Sequence, residues 1–136
     1  MGDPVTLRLA LALLMLGTAS AVIAAEDPTQ RVMLDPVKKS AVVTGTVTGY
    51  RSLRYLIAAR AGQVLSTSFT PSKKTLYYNV LQGSHLLRDG SSADTLDWSA
   101  KLAADGDYVI DVYLKNGDAR KNVEASFTLV VTISNP

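Results

Sequence analysis

Apolar and polar residues alternate along most of the chain after residue 40. In the run 53–60, Tyr55 and Ile57 lie on one face, and both arginines of the run lie on the other. The same two-residue period recurs over 96–102, 108–114 and 125–133. Successive side chains of a β-strand point to opposite faces, so this period is that of a half-buried strand. The pattern predicts strands, and no helix, after residue 25.

Turn residues separate about eight such runs, and the connections are too short to contain the crossover helices of a parallel sheet. Two connections favour tight hairpins. One is Ala61-Gly62, and the other is the segment 104–107 with its Asp-Gly pair. We therefore predict an all-β fold, an antiparallel β-sandwich of about eight strands.

The N-terminal segment has a different composition and predicts a signal peptide in front of the sandwich. Arg8 precedes an uncharged, apolar stretch over 9–25 that ends in small residues. A short basic region, an apolar core and an Ala-x-Ala site are typical of a secretory signal, with cleavage between Ala21 and Ala25. An uncleaved membrane anchor is the alternative. We assign 1–25 to a signal peptide, 26–40 to an extended lead-in and 41–136 to the sandwich, which implies a periplasmic protein without a membrane segment after cleavage.

The composition argues against an enzyme and against a resident cofactor. The chain has no cysteine and one histidine, which excludes disulfides, thiolate metal sites and a multi-histidine metal centre. His85 has no Ser or Asp partner in a recognisable motif. Asp105 and Asp107 flank a glycine, and turn formation explains them better than calcium, which needs six or more oxygen ligands. The sequence thus indicates no catalytic residues, no metal and no cofactor.

The net charge of +2 comes from 14 basic and 12 acidic residues, which is a small excess. The basic pairs 38–39, 73–74 and 120–121 are scattered along the chain rather than grouped in one stripe, so a nucleic-acid partner is disfavoured. The loop 115–122 is a better candidate for a binding site, because it is longer than an ordinary hairpin connection and contains three cations. A long loop on a rigid sandwich is a common location for binding residues. The alternative is an ordinary solvated turn.

Several segments, among them 49–50, 59–63, 78–81, 98–99, 102–108 and 118–122, resemble the periplasmic lysozyme inhibitors of Gram-negative bacteria, which act on goose-type and invertebrate-type lysozymes. The resemblance covers nearly all of the mature domain. Residues 59–63 are similar to the family's A-[KR]-x-G-Q turn, and 102–108 to its L-P-A-x-G-x-Y segment, with Ala103 in place of the proline. The most specific match is the D-A-R-K-N loop of goose-type inhibitors at 118–122.

The resemblance implies an inhibitor that inserts this loop into the lysozyme cleft, where a catalytic Glu lies. Arg120 would then be the inserted cation, Lys121 and Asn122 would support it, and Asp118 would orient it. Tyr50 matches an aromatic position of the family. The chain lacks the Ser-Gly-x-x-Tyr motif of invertebrate-type and chicken-type inhibitors, which favours goose-type lysozyme as the partner and leaves invertebrate-type open.

Two questions stay open at the level of sequence. A secreted sandwich that binds cell-wall carbohydrate, or an accessory domain like those of secreted peptidases, is the alternative to an inhibitor. Tyr77 and Tyr113 fall on outer faces of their strands, where they would either mark a homodimer surface or simply be exposed.

Overall fold

A computed structural model describes residues 28–136, so the expected signal peptide over 1–25 and its cleavage site lie outside the described residues. The described chain forms nine strands and one short helix. The strands are β1 (Thr29–Arg31), β2 (Ser40–Thr48), β3 (Leu53–Ala59), β4 (Val64–Pro71), β5 (Leu76–Gln82), β6 (His85–Arg88), β7 (Trp98–Lys101), β8 (Gly106–Leu114) and β9 (Glu124–Ser134), and the helix α1 (Asn116–Arg120) lies between β8 and β9.

The strands form two sheets. One sheet has the order β1-β3-β8-β5-β6, and the other has the order β2-β9-β4-β7. Every neighbouring pair is antiparallel except β1 and β3, which run parallel. The predicted all-β, antiparallel sandwich is confirmed.

The core lies between the two sheets and consists of the inward faces that the alternation predicts. Leu65, Val80, Ile110 and Leu129 have no exposed surface. Rings pack at the centre, with the centroid of Phe69 4.7 Å from that of Tyr78 and 5.5 Å from that of Phe127. Because the chain has no cysteine, this packing and the hydrogen bonds across it hold the sheets together.

Neither of the two hairpins expected from the sequence forms. The Ala61-Gly62 turn leads from β3 in one sheet to β4 in the other, and the segment after β7 leads back across the sandwich to β8. The two crossings lie side by side, since the N–H of Gly62 donates to the carbonyl of Leu102 at 2.8 Å and that of Ala61 to Oδ1 of Asp105 at 2.7 Å. Alternation identifies the buried face of a strand but not its partner, so it does not distinguish a hairpin from a crossing between sheets.

The segment before β2 contains strand β1, which extends the first sheet by one strand. Arg31 reaches from β1 across β3 to Asp107 at the start of β8 and makes two parallel hydrogen bonds, at 3.0 and 2.7 Å. On β3, Leu56 is the register partner of Arg31, and Ala58 is that of Asp107. The pair links three neighbouring strands.

Because of this ion pair, we expect the free energy of unfolding to fall in acid. Its hydrogen bonds to the Arg31 guanidinium hold the pKa of Asp107 below the ordinary carboxyl value of about 4. A depressed folded-state pKa contributes stability that is complete above the unfolded pKa and is lost as the pH falls through the folded one. Urea unfolding at pH 7 and pH 3 should therefore show a smaller pH dependence for Asp107→Asn than for the wild type, and an identical dependence would contradict this assignment.

Candidate partner-binding site

Three loops meet at one end of the sandwich. They are 49–52 between β2 and β3, 72–75 between β4 and β5, and 115–123 between β8 and β9. The strand registers place them together, because Thr48 pairs with Glu124, Pro71 with Phe127 and Leu76 with Leu114. We call this end the three-loop end. It holds all five residues that the resemblance selects as partner-binding.

The loop 115–122, predicted to contain no helix, contains one helical turn. Residues Asn116–Arg120 form helix α1, a single turn whose Ala119 is buried among the core residues. The turn ends at Lys121, and Asn122 then adopts a positive φ of 60°. The helix was missed because one turn is too short to show a helical period, and because the glycine and aspartate in it favour turns.

Helix α1 is fixed to the neighbouring loop through Thr75. The Thr75 hydroxyl donates to Oδ2 of Asp118 at 2.5 Å, and its carbonyl accepts the N–H of Lys115 at 2.8 Å. The carboxylate of Asp118 therefore holds two loops together. No hydrogen bond or ion pair joins the side chains of Asp118 and Arg120 within residues 28–136. The orienting role that the resemblance implies for Asp118 stays a prediction.

The loop 49–52 is joined to the same helix from the other side. The hydroxyl of Tyr50 donates to Oδ1 of Asn116 at 2.8 Å, while two-thirds of the Tyr50 surface stays exposed. Gly49 has a φ of 61°, and its N–H donates to the carbonyl of Val123 at 3.0 Å. A Cβ on Gly49 would lie 2.5 Å from Oδ1 of Asn122, which would have to move, and the positive φ itself favours glycine at this position.

The side chains at the tip of this arrangement are open to solvent. Arg120, Lys121 and Asn122 are exposed, and they directly follow the buried Ala119. Within the described part of the chain, no hydrogen bond or ion pair holds the guanidinium of Arg120. The result is a free cation on a backbone that is anchored on both sides. Such an arrangement suits a carboxylate of a partner, which accepts two parallel hydrogen bonds from an arginine.

The basic pairs that are scattered in sequence are partly gathered in space. The pairs 73–74 and 120–121 both lie at the three-loop end, whereas 38–39 lies at the opposite end, where β2 begins and β9 ends. All three pairs are exposed, and two of them share one end of the sandwich. The three loops contain one acidic residue, Asp118. They contain six cationic residues, namely Arg51, Lys73, Lys74, Lys115, Arg120 and Lys121.

The other candidate residues have structural surroundings. His85 is exposed at the start of β6. Asp105 accepts the N–H of Ala61, and Asp107 accepts hydrogen bonds from Arg31, so both carboxylates brace the fold. Residues 28–136 contain no group of three or more His, Cys, Asp or Glu side chains that could hold a metal ion. Over the same range, no helix is long and apolar enough to span a membrane.

Sequence reasoning missed two residues of the three-loop end, Thr75 and Asn116. Thr75 is 43 residues from Asp118 along the chain, and Asn116 is 66 residues from Tyr50. Both act only through a distant partner, and neither belongs to a motif of its own. The sequence offers one indication that Thr75 belongs to the site, which is its position directly after a pair of lysines and directly before a buried strand.

Solved structures of three periplasmic inhibitors of g-type lysozyme are similar to this chain. PliG from Aeromonas hydrophila is 25% identical, with a TM-score of 0.70 over 80% of this chain and 98% of its own. A mutant of PliG from Escherichia coli is 22% identical, with a TM-score of 0.62 over 79% and 99%. PliG from Salmonella Typhimurium is 22% identical, with a TM-score of 0.60 over 78% and 98%.

The sandwich fold also occurs in proteins of another kind. The pre-peptidase C-terminal domain of a collagenase from Bacillus anthracis is 15% identical, with a TM-score of 0.52 over 79% of this chain and 96% of its own. No protein-family model and no curated protein matches the sequence. The likeness to the three inhibitor structures confirms the resemblance found in the loop and turn motifs, and the chain has the fold of the periplasmic inhibitors of g-type lysozyme.

Proposed function

We propose that this protein is a periplasmic inhibitor of lysozyme, with goose-type lysozyme as the favoured partner and invertebrate-type as the second. It would bind through the three-loop end and insert the tip of the 115–123 loop into the substrate cleft. It would thereby protect peptidoglycan when the outer membrane is damaged and lysozyme of a host enters. The signal peptide expected over 1–25 would direct it to that compartment.

The observation that carries the proposal is the setting of Arg120. Its side chain is exposed and has no partner among residues 28–136, while the backbone under it is fixed through Ala119, Asp118 and Asn116. A lysozyme cleft contains a catalytic carboxylate, so an inserted guanidinium would meet opposite charge in a site shielded from water. A prearranged loop loses little conformational entropy on binding, which favours affinity.

Tyr50 and the residues after Arg120 would complete the contact. Exposed tyrosine is enriched in protein interfaces because it supplies a large contact area with few rotatable bonds. The hydroxyl of Tyr50 is already held by Asn116, so its ring has a defined position beside the helix. Lys121 and Asn122 would form the outer part of the contact, where charges act mainly on the rate of encounter.

The test is an inhibition assay with chicken-type, goose-type and invertebrate-type lysozymes on a peptidoglycan substrate. We expect stoichiometric inhibition of the goose-type enzyme, weaker or no inhibition of the chicken-type enzyme, and loss of inhibition as salt is added. A purified protein that leaves all three enzymes fully active, and binds none of them, would refute the proposal.

The bond between Thr75 and Asp118 gives a prediction about positioning. Thr75→Val keeps the shape of the side chain but removes the donor to the Asp118 carboxylate. A hydrogen bond to a charged group is worth about 1.5–3 kcal/mol, which corresponds to roughly 10- to 150-fold in affinity. Because this bond affects binding only by positioning the loop, we expect part of that effect, a roughly 3- to 10-fold weaker inhibition. Thr75→Ser, which keeps the hydroxyl, should restore most of it. Equal inhibition by the valine variant and the wild type would show that the bond does not position the loop.

The alternative is a secreted sandwich that binds cell-wall carbohydrate, or an accessory domain like those of secreted peptidases. The likeness to the collagenase domain, which extends to the fold alone, is compatible with the accessory domain. The cell-wall module is the form that can be tested directly. It predicts that purified peptidoglycan retains the protein in a sedimentation assay, and that Arg120→Ala is retained equally well. Retention without inhibition of any lysozyme would support this alternative over the inhibitor.

A further inference from the structure

We infer that the 72–75 loop is a second contact with the same partner, in which Lys73 and Lys74 meet acidic residues outside the cleft that receives Arg120. The inference rests on the proposed function and deepens it. It adds a requirement for the partner, namely carboxylates on the rim of the cleft as well as within it.

The first argument is geometric. Thr75 directly follows Lys74, and it is bonded both to Asp118 and to Lys115 of the neighbouring loop. At the other end of the 72–75 loop, the N–H of Ser72 donates to the carbonyl of Ser126 at 2.7 Å, and the N–H of Ser126 donates to the Ser72 hydroxyl at 2.9 Å. The two lysines are thus held on a short loop between anchored residues. A partner that covers Arg120 will also lie close to them.

The second argument is electrostatic. Five of the six cations at the three-loop end have exposed side chains with no ion pair in the described range 28–136: Lys73, Lys74, Lys115, Arg120 and Lys121. The opposite end is mixed, since Asp35, Asp105 and Asp107 lie there among its cations. Charges of one sign that remain unneutralised on one face attract a partner of the opposite sign and orient it during encounter.

The test compares two double variants with equal changes of charge. Lys73→Gln/Lys74→Gln removes the two cations of the 72–75 loop. Lys38→Gln/Lys101→Gln removes two exposed cations at the opposite end. Association with immobilised goose-type lysozyme is measured for both and for the wild type at 50 mM and 300 mM NaCl. Lysozyme inhibition and the melting temperature are recorded for the same samples.

We expect the Lys73→Gln/Lys74→Gln variant to associate about 3- to 10-fold more slowly at low salt, with the difference shrinking at high salt because screening shortens the range of the charges. The variant at the opposite end should match the wild type. If both variants match the wild type, the inference fails while the proposed function stands. If the wild type itself neither binds nor inhibits, the proposed function fails, and the inference fails with it.

Binding to another polyanion gives a separate outcome. Vesicles of phosphatidylglycerol are mixed with the same three proteins and sedimented. If the lysines change retention by the vesicles but leave lysozyme association unchanged, the loop recognises a lipid surface and the inference is overturned.

Discussion

Arg120→Ala should abolish most of the inhibition of goose-type lysozyme and leave the fold intact. The side chain is exposed and makes no hydrogen bond or ion pair within residues 28–136, so its removal should cost the folded monomer little. In a complex, the same change would leave a carboxylate of the partner buried without a counter-charge. Anchors of this kind are worth about 2 kcal/mol or more, which corresponds to a roughly 30-fold or larger rise in the inhibition constant.

The matched control is Arg60→Ala. Arg60 is also an exposed arginine, but it lies at the opposite end, where β3 leads into β4. Both variants lose one positive charge, so a difference between them reflects position rather than total charge. Full inhibition by Arg120→Ala at an unchanged melting temperature would remove the mechanism of loop insertion, whereas equal losses in both variants would indicate an effect of net charge alone.

Tyr78→Ala should produce the largest loss of stability among single substitutions in the core. Tyr78 is fully buried, and its ring packs against Phe69 and under the guanidinium of Arg88, whose carbon lies 4.0 Å from the ring centroid. Its hydroxyl donates to the carbonyl of Leu96 at 2.5 Å and lies 2.8 Å from the hydroxyl of Thr67. Truncation of a buried aromatic residue costs about 3–5 kcal/mol, a large part of the stability of an ordinary domain.

The neighbouring residue supplies the control. Tyr77 lies on the outer face of the same strand, half-buried, with its ring centroid 6.0 Å from that of Tyr113. Tyr77→Ala should lower the free energy of unfolding by about 1 kcal/mol or less. Tyr78→Phe should lower it by an intermediate amount, because it removes only the buried hydroxyl. Urea denaturation compares the three variants. A loss from Tyr77→Ala as large as that from Tyr78→Ala would contradict the assignment of faces in β5.

The sequence was sufficient to predict the fold class, because each strand shows its buried face directly. Tyr55, Ile110 and Leu129 are inward because every second residue around them is apolar. Strand pairing was not predictable from the same signal, and for that reason Ala61-Gly62 was mistaken for a hairpin turn. The crossing depends on which strand lies beside β3 and β4, and that depends on residues far along the chain.

The candidate site divides in a similar way. Arg120 could be selected from the sequence because the resemblance is strongest in its own loop. Two hydrogen bonds of the site could not be predicted from the sequence: the bond from Thr75 to Asp118 and the bond from Tyr50 to Asn116. Each joins two loops that meet only after both sheets have formed. The sequence also does not reveal that Lys73 and Lys74 lie at the same end as Arg120, because the two basic pairs are far apart along the chain.

The placement of β9 has a consequence for how the protein acquires its structure. This last strand lies between β2 and β4, so the second sheet has no continuous ladder of hydrogen bonds until the end of the chain is in place. Among the strands of residues 28–136, only β5 and β6 are both consecutive and paired, so nearly all pairing must close long loops. Such pairing makes folding slow relative to helical domains. Because synthesis runs from the N-terminus, the core cannot be completed before β9 has emerged, and loss of β9 should leave β2 without its pairing partner.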